Sequence, residues 1–213
     1  MIRIGVLFPE HLNLNGDAAN AEVLSKQLTW RGVPSQIIGI DKFVEALPEI
    51  DVLVVGHGSI AAWSDVASSW SRLSGALVEL MRHGLPVLAV SSGFELLCRA
   101  QRGSLSGLEV FDLVPEDIQR VSKFEVAEFE GYGVLGYKNS EAKLPTICRS
   151  NRVIGTLLHG PVLSKNPELL ESFLVSISEY VGLDIPAVKP EVATRLGDHT
   201  SKIWDLEREL ARE

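Results

Sequence analysis

Four short apolar runs set the strongest limit on how this chain can fold: IRIGVLF (2–8), PSQIIGI (34–40), DVLVVG (51–56) and PVLAV (86–90). They are nearly continuous in apolar character instead of alternating. That is the pattern of strands covered on both faces, as in a parallel sheet. Much of what separates them is helical. Residues 16–32, GDAANAEVLSKQLTWRG, place Ala18, Val23, Leu24 and Leu28 at roughly helical spacing, with Gly32 as the stop. A longer helix is predicted from about Val66 to Arg82, closed by HGLP, and FELLCRA continues as helix after the fourth run. Parallel strands need crossover connections, and helices on both faces supply them. The expectation is an α/β fold, a three-layer sandwich around a mostly parallel sheet, of flavodoxin-like type.

The second half changes character. SKFEVAEFEG, YGVLGYK, LPTICRS and RVIGTLLHG read as short strands with turns between them. Two helices are predicted to close the chain, near Pro167–Val181 and Glu191–Arg212, joined by the Pro-punctuated GLDIPAVKPE. No repeat or low-complexity linker is visible, so one domain spanning 1–213 is expected. A content of 46% hydrophobic and 23% charged residues suits a buried core. The net charge of -8 argues against nucleic-acid binding, which needs basic stripes that are absent here. No apolar run reaches the roughly 18 residues of a membrane span. The opening MIRIGVLFPE turns polar too soon for a signal peptide. Cys98 and Cys148 are too few for a disulfide framework or a metal quartet, so a reduced, cytoplasmic location is expected, with no metal and no cofactor.

In folds of this kind, ligands sit beyond the carboxyl ends of the strands. Three such ends carry chemistry: Gly56-His57-Gly58-Ser59, Ser91-Ser92-Gly93 and Leu158-His159-Gly160-Pro161. The stretch VLAVSSGFELLC (87–98) has the local shape of a nucleophile elbow, in which a buried strand ends, a sharp turn exposes one side chain, and a helix begins beneath it. A nucleophile, a base and a turn offering backbone N–H donors are what acyl transfer requires. Ser91 and His159 are the candidate catalytic residues. His57, Gly58 and Ser92 are the candidate turn or oxyanion residues. Singly, each has an ordinary structural explanation, since a Ser after a strand commonly caps a helix.

On these motifs the chain resembles the class I, triad-type glutamine amidotransferases of the cobyric-acid-synthase-like branch. Within that branch it is similar to the glutaminase subunits of lipid II isoglutaminyl synthases, over nearly its whole length. The opening segment carries an Asn-x-x-Gly-Asp-x-x-Asn pattern through Asn13, Gly16, Asp17 and Asn20, and GTLLHGPVLSKNPEL matches the family's catalytic-histidine segment. The resemblance implies a glutamine-like small amide as ligand, a Mur-ligase-like partner subunit, and a role in amidating a cell-wall precursor. It also exposes departures. The family's nucleophilic Cys falls on Ser91, the following Gly on Ser92, the elbow Gln on Glu95, and one Gly of the oxyanion turn on His57. His159 keeps the histidine. Pro161 stands at the third triad position of many class I enzymes, which is likewise not acidic in this branch. The resemblance places the glutamine-holding arginine at Arg120, and the family's Glu-Asn-His/Ser strand end at Lys138, Asn139 and Ser140.

Serine in place of cysteine changes the chemistry. A thiol with pKa about 8.5 is readily lowered by an imidazole or a helix N-terminus, whereas a hydroxyl needs an oriented base. No acid neighbours His159 in sequence. A carboxylate at Glu95 would repel the α-carboxylate of glutamine if it faced the pocket. Three readings follow: an amidotransferase-like protein degenerate for glutamine hydrolysis, a serine hydrolase or peptidase using Ser91 and His159, and an amidotransferase subunit with weak hydrolysis. Cys98 sits too far along to replace the nucleophile and reads, like Cys148, as core. His11 and His83 read as surface residues, and Trp30, Trp63, Trp70 and Trp204 as packing or partner-contact residues. DLERELARE, pairing Asp205 with Arg208 and Glu209 with Arg212, reads as a solvated helix face.

Overall fold

The computed structural model describes residues 1–102 and 104–210. The four apolar runs become β1 (Ile2–Leu7), β2 (Ser35–Ile40), β3 (Val52–Val55) and β4 (Val87–Val90). The helices among them are α1 (Ala19–Trp30), α2 (Ile60–Arg82) and the single turn α3 (Ser92–Glu95). Seven strands follow: β5 (Gln101–Arg102), β6 (Leu105–Ser106), β7 (Glu116–Phe129), β8 (Tyr132–Lys143), β9 (Ile147–Ser150), β10 (Val153–Thr156) and β11 (Leu158–His159). The chain continues through α4 (Val162–Lys165), α5 (Pro167–Val181) and α6 (Pro190–Leu210).

The main sheet has the order β2-β1-β3-β4-β10-β9. It is parallel from β2 to β10, with β9 antiparallel at the edge. Successive residues of a strand face opposite sides, and in β1, β3 and β4 both sides are core; β2, predicted to be covered likewise, is an edge strand that buries only Ile40 and leaves Ile37 exposed. Leu53 and Val55 join Val87 and Ala89 under Trp63, Val66, Trp70, Leu73 and Leu77 of α2. Val52 and Val54 join Leu88 and Ile154 under Leu24 and Leu28 of α1 and Phe173 and Ile177 of α5. That is the three-layer α/β architecture predicted from the uninterrupted apolar runs. Among the described residues no helix is long and apolar enough to cross a membrane.

Four local expectations need correction. FELLCRA does not continue as helix, because α3 stops at Glu95. Phe94, Leu96, Leu97 and Cys98 are all buried, so the segment has no solvent face to keep an amphipathic helix. Its carbonyls bond to later chain instead, Leu96 O accepting from Leu108 N and Leu97 O from Val110 N at 2.8 Å. The predicted short strands around 121–138 are parts of one long hairpin, β7–β8. Glu130 (φ 50°) and Gly131 (φ 89°) close it, both in the positive-φ region that a tight hairpin turn favours. RVIGTLLHG is not one strand. It leaves the main sheet after Thr156, and Leu158–His159 pair antiparallel with β8 in a second sheet of order β11-β8-β7. Helix α2 also starts earlier than predicted, at Ile60, where Ser59 Oγ accepts from Ala62 N as its N-cap. Helix α5 has the predicted bounds. Arg212 lies outside the described residues.

Gly155 of β10 lies against the Phe94 ring, and a methyl group there would come within 2.1–2.7 Å of ring carbons. Gly155→Ala is expected to destabilise the fold by about 1–3 kcal/mol through overpacking, read as a lower urea midpoint with an unchanged slope.

Candidate functional site

Strand β4 delivers Ser91 into a strained turn. Its φ of 50° and ψ of -114° are rare for a residue with a side chain, and its hydroxyl does not cap α3. The turn is anchored by Ser91 N donating to Thr156 O at 2.7 Å, and Glu95 N donating to Ser91 O at 2.8 Å. Glycine makes the approach of the neighbouring loop feasible. A Cβ on Gly93 would meet Gly56 O at 2.8 Å, and one on Gly56 would meet Leu12 O at 1.9 Å. The strand end and sharp turn predicted from VLAVSSG are therefore present, but the turn does not expose its side chain, because Ser91 is buried. The predicted helix beneath it is a single turn, too short to focus a helix dipole on the site.

His159 arrives at the end of β11, only 5% exposed. Its Nε2 lies 2.9 Å from the carbonyl oxygen of Asn139. A carbonyl only accepts, so Nε2 carries a proton. Its Nδ1 lies 2.8 Å from Asn15 Nδ2 and accepts from that amide. Both ring nitrogens are thus engaged by asparagines, and neither is offered to Ser91.

An acid near His159, invisible in the local sequence, is supplied by the distant loop after β1. Asp17 is fully buried, with Oδ1 3.8 Å from His159 Nδ1. Its main work is with backbone. Oδ1 accepts from Gly160 N at 2.8 Å and Oδ2 from His57 N at 3.0 Å. Asn20 adds a second clamp, donating to Gly160 O at 3.1 Å and accepting from Leu163 N at 3.1 Å. The available signal was the Asn-x-x-Gly-Asp-x-x-Asn pattern itself.

His57 stands between the two histidine- and serine-bearing ends. Its ring meets that of His159 edge-on at 4.9 Å, and its Nδ1 accepts from Ser92 N at 3.4 Å. Ser92 Oγ accepts from Gly58 N at 3.0 Å and from Trp63 Nε1 at 2.8 Å, and donates to Gly58 O at 3.2 Å. Ser91, Ser92, His57, Gly58 and His159 therefore form one cluster. Glu95 is buried one turn beyond Ser91. Arg120 lies on the exposed hairpin, its Nε donating to Glu141 at 3.0 Å. Lys138 donates to Thr146 Oγ1 at 3.0 Å. Trp63 and Trp70 stack edge-on in the core, and Trp204 of α6 donates to Lys165 O.

Cys98 is fully buried, its Sγ donating to Phe94 O. Burial pushes its thiol up to about 12 and that of Cys148 up to about 11. Asn166 is buried as well, bonded at 2.8 Å to both backbone groups of Leu135. The polar residues Asp17, Asn20, His159 and Asn166 thus bind the chain to itself.

Neither native thiol should react with a chromogenic disulfide reagent near pH 8, where thiols shifted this far stay protonated, and both should titrate after unfolding. Asp17→Asn would set an amide donor against one of two backbone donors. A stability loss of about 1.5–3 kcal/mol is expected in urea melts.

No protein-family model matches the chain. In sequence it is 23% identical over 203 residues to the lipid II isoglutaminyl synthase (glutamine-hydrolyzing) subunit GatD of Staphylococcus aureus (strain N315), covering 82% of this chain and 83% of GatD. In structure it is similar to a crystallised glutamine amidotransferase, with TM-score 0.55, 20% identity, and coverage of 82% of this chain and 98% of that one. It is also similar to PurLQS from Thermotoga maritima, with TM-score 0.52, 14% identity, and coverage of 84% and 99%. The chain has the mixed α/β fold of glutamine amidotransferases, and its sequence is similar to that of GatD.

Proposed function

We propose that this chain is a GatD-like subunit that no longer hydrolyses glutamine. We further propose that it acts in the cytoplasm, as one domain over 1–213, beside a Mur-ligase-like partner in amidating a cell-wall precursor. The observation that carries the loss of hydrolysis is the state of His159. Its Nε2–H donates to Asn139 O and its Nδ1 accepts from Asn15. A serine hydroxyl is inert without a base to receive its proton, whereas a thiol can ionise unaided by one. The Cys98 thiol is buried and protonated, and so supplies no substitute nucleophile. The GatD name supports the partner, because it denotes one subunit of a synthase. In this reading the fold outlives its chemistry because the partner still requires it.

A serine hydrolase is the second reading. The strained φ of Ser91, combined with a hydroxyl that caps nothing, favours it. The tethering of His159 counts against it.

The isolated wild-type chain is expected to release no ammonia from glutamine above a buffer blank, and Ser91→Cys alone to recover little. Ordinary turnover by the wild type would defeat the proposal. In the same preparation a fluorophosphonate probe should leave Ser91 unlabelled; stoichiometric labelling would favour the hydrolase. A pull-down from the native cell should recover an ATP-dependent ligase.

A further inference from the structure

We propose that Ser92 and His57 occupy the oxyanion hole of this site from within, so that two side chains close it to acyl chemistry independently of the missing thiol. This rests on the reading above that the chain does not hydrolyse glutamine. An oxyanion hole works by holding backbone N–H groups unspent until charge develops on the substrate oxygen. The elbow and the turn after β3 offer three such groups, those of His57, Gly58 and Ser92. All three are spent. The N–H of His57 goes to Asp17 Oδ2 at 3.0 Å. That of Gly58 goes to Ser92 Oγ at 3.0 Å, and that of Ser92 to His57 Nδ1 at 3.4 Å.

The last two bonds form a reciprocal pair. The side chain from the elbow satisfies the turn, and the side chain from the turn satisfies the elbow. A glycine at either position would leave its opposite N–H free. The Ser92 hydroxyl is also held in place. It accepts from Trp63 Nε1 at 2.8 Å and donates to Gly58 O at 3.2 Å, so its proton and lone pairs are all committed. An incoming carbonyl oxygen would have to displace a buried, fully bonded hydroxyl, whose lost hydrogen bonds it could not replace.

The test uses the full chain with a thiol installed at position 91, which needs no base. Four variants are compared: S91C, S91C/S92G, S91C/H57G and S91C/H57G/S92G. Each is treated with p-nitrophenyl acetate and, separately, with iodoacetamide. In the ester reaction the sulfur bonds to the carbonyl carbon, the bond to p-nitrophenolate breaks, and the thiol proton goes to water. That path passes through an oxyanion. In the alkylation the sulfur bonds to the methylene carbon and iodide leaves, with no oxyanion formed. The thiols of Cys98, fully buried, and Cys148, partly buried, are pushed up by burial and stay silent in both. Opening the hole should raise the ester rate of the triple variant on the order of 10²-fold over S91C, with alkylation little changed and the two double variants intermediate. Circular dichroism shows which variants are folded, and the double variants decide the matter if the triple variant is not. An unchanged ester rate in folded variants overturns the proposal, and so does a rise shared equally by both reagents, which would mean access alone. Ammonia release by the wild type would sink the reading beneath it whatever the ester data show.

Discussion

A single buried carboxylate holds the business end of this fold together. Asp17 leaves the loop after β1 and receives the backbone N–H of His57 on one oxygen and of Gly160 on the other. Those two residues follow β3 and β11, which belong to different sheets. Hydrogen bonds to a charged acceptor are the stronger kind, and in a dry interior the carboxylate has no water to fall back on. Asp17 therefore fixes where the two histidine-bearing loops sit. Asn20, one helical turn on, repeats the clamp through Gly160 O and Leu163 N.

Everything nearby inherits that geometry. With the loop after β3 pinned, a methyl group on Gly93 would run into Gly56 O, and one on Gly56 into Leu12 O. The contact brings Ser92 within reach of Gly58 and Trp63. With the loop after β11 pinned, the His159 ring lies between Asn15 and Asn139. A site built to process an acyl group keeps donors and a base unsatisfied in the resting state. Here the same backbone frame has its donors and its base satisfied internally. Satisfying them internally stabilises the folded chain, since buried polar groups without partners are costly.

The buried polar residues around the site serve the fold itself. Asp17, Asn20 and Asn166 are buried and bonded to backbone from other elements. Their presence follows from the need to satisfy loop N–H and C=O groups that no strand or helix serves. A partner surface must draw on other residues. The exposed Leu14 and Phe43 follow β1 and β2, and the exposed Ile60 opens α2 after β3; the three strands are neighbours in the sheet.

By itself the sequence determined the layered architecture. Uninterrupted apolar runs can satisfy both faces only inside a sandwich, and the helical spacing between them supplies the crossovers. The elbow at Ser91 was equally legible, because a buried strand running into Ser-Ser-Gly has few ways to turn. The side chains at Ser92 and His57, where the resemblance implies glycines, were also readable, but the bonds they make were not. Whether FELLCRA stays helical depends on Leu108 and Val110 arriving to take its carbonyls. Whether RVIGTLLHG remains one strand depends on β8 offering a second sheet. The proton position on His159 depends on Asn15 and Asn139, at separations in sequence of 144 and 20 residues. Periodicity reports what a segment prefers against a generic core. Hydrogen-bond partners are set by which distant segments meet, and only the tertiary structure brings them together.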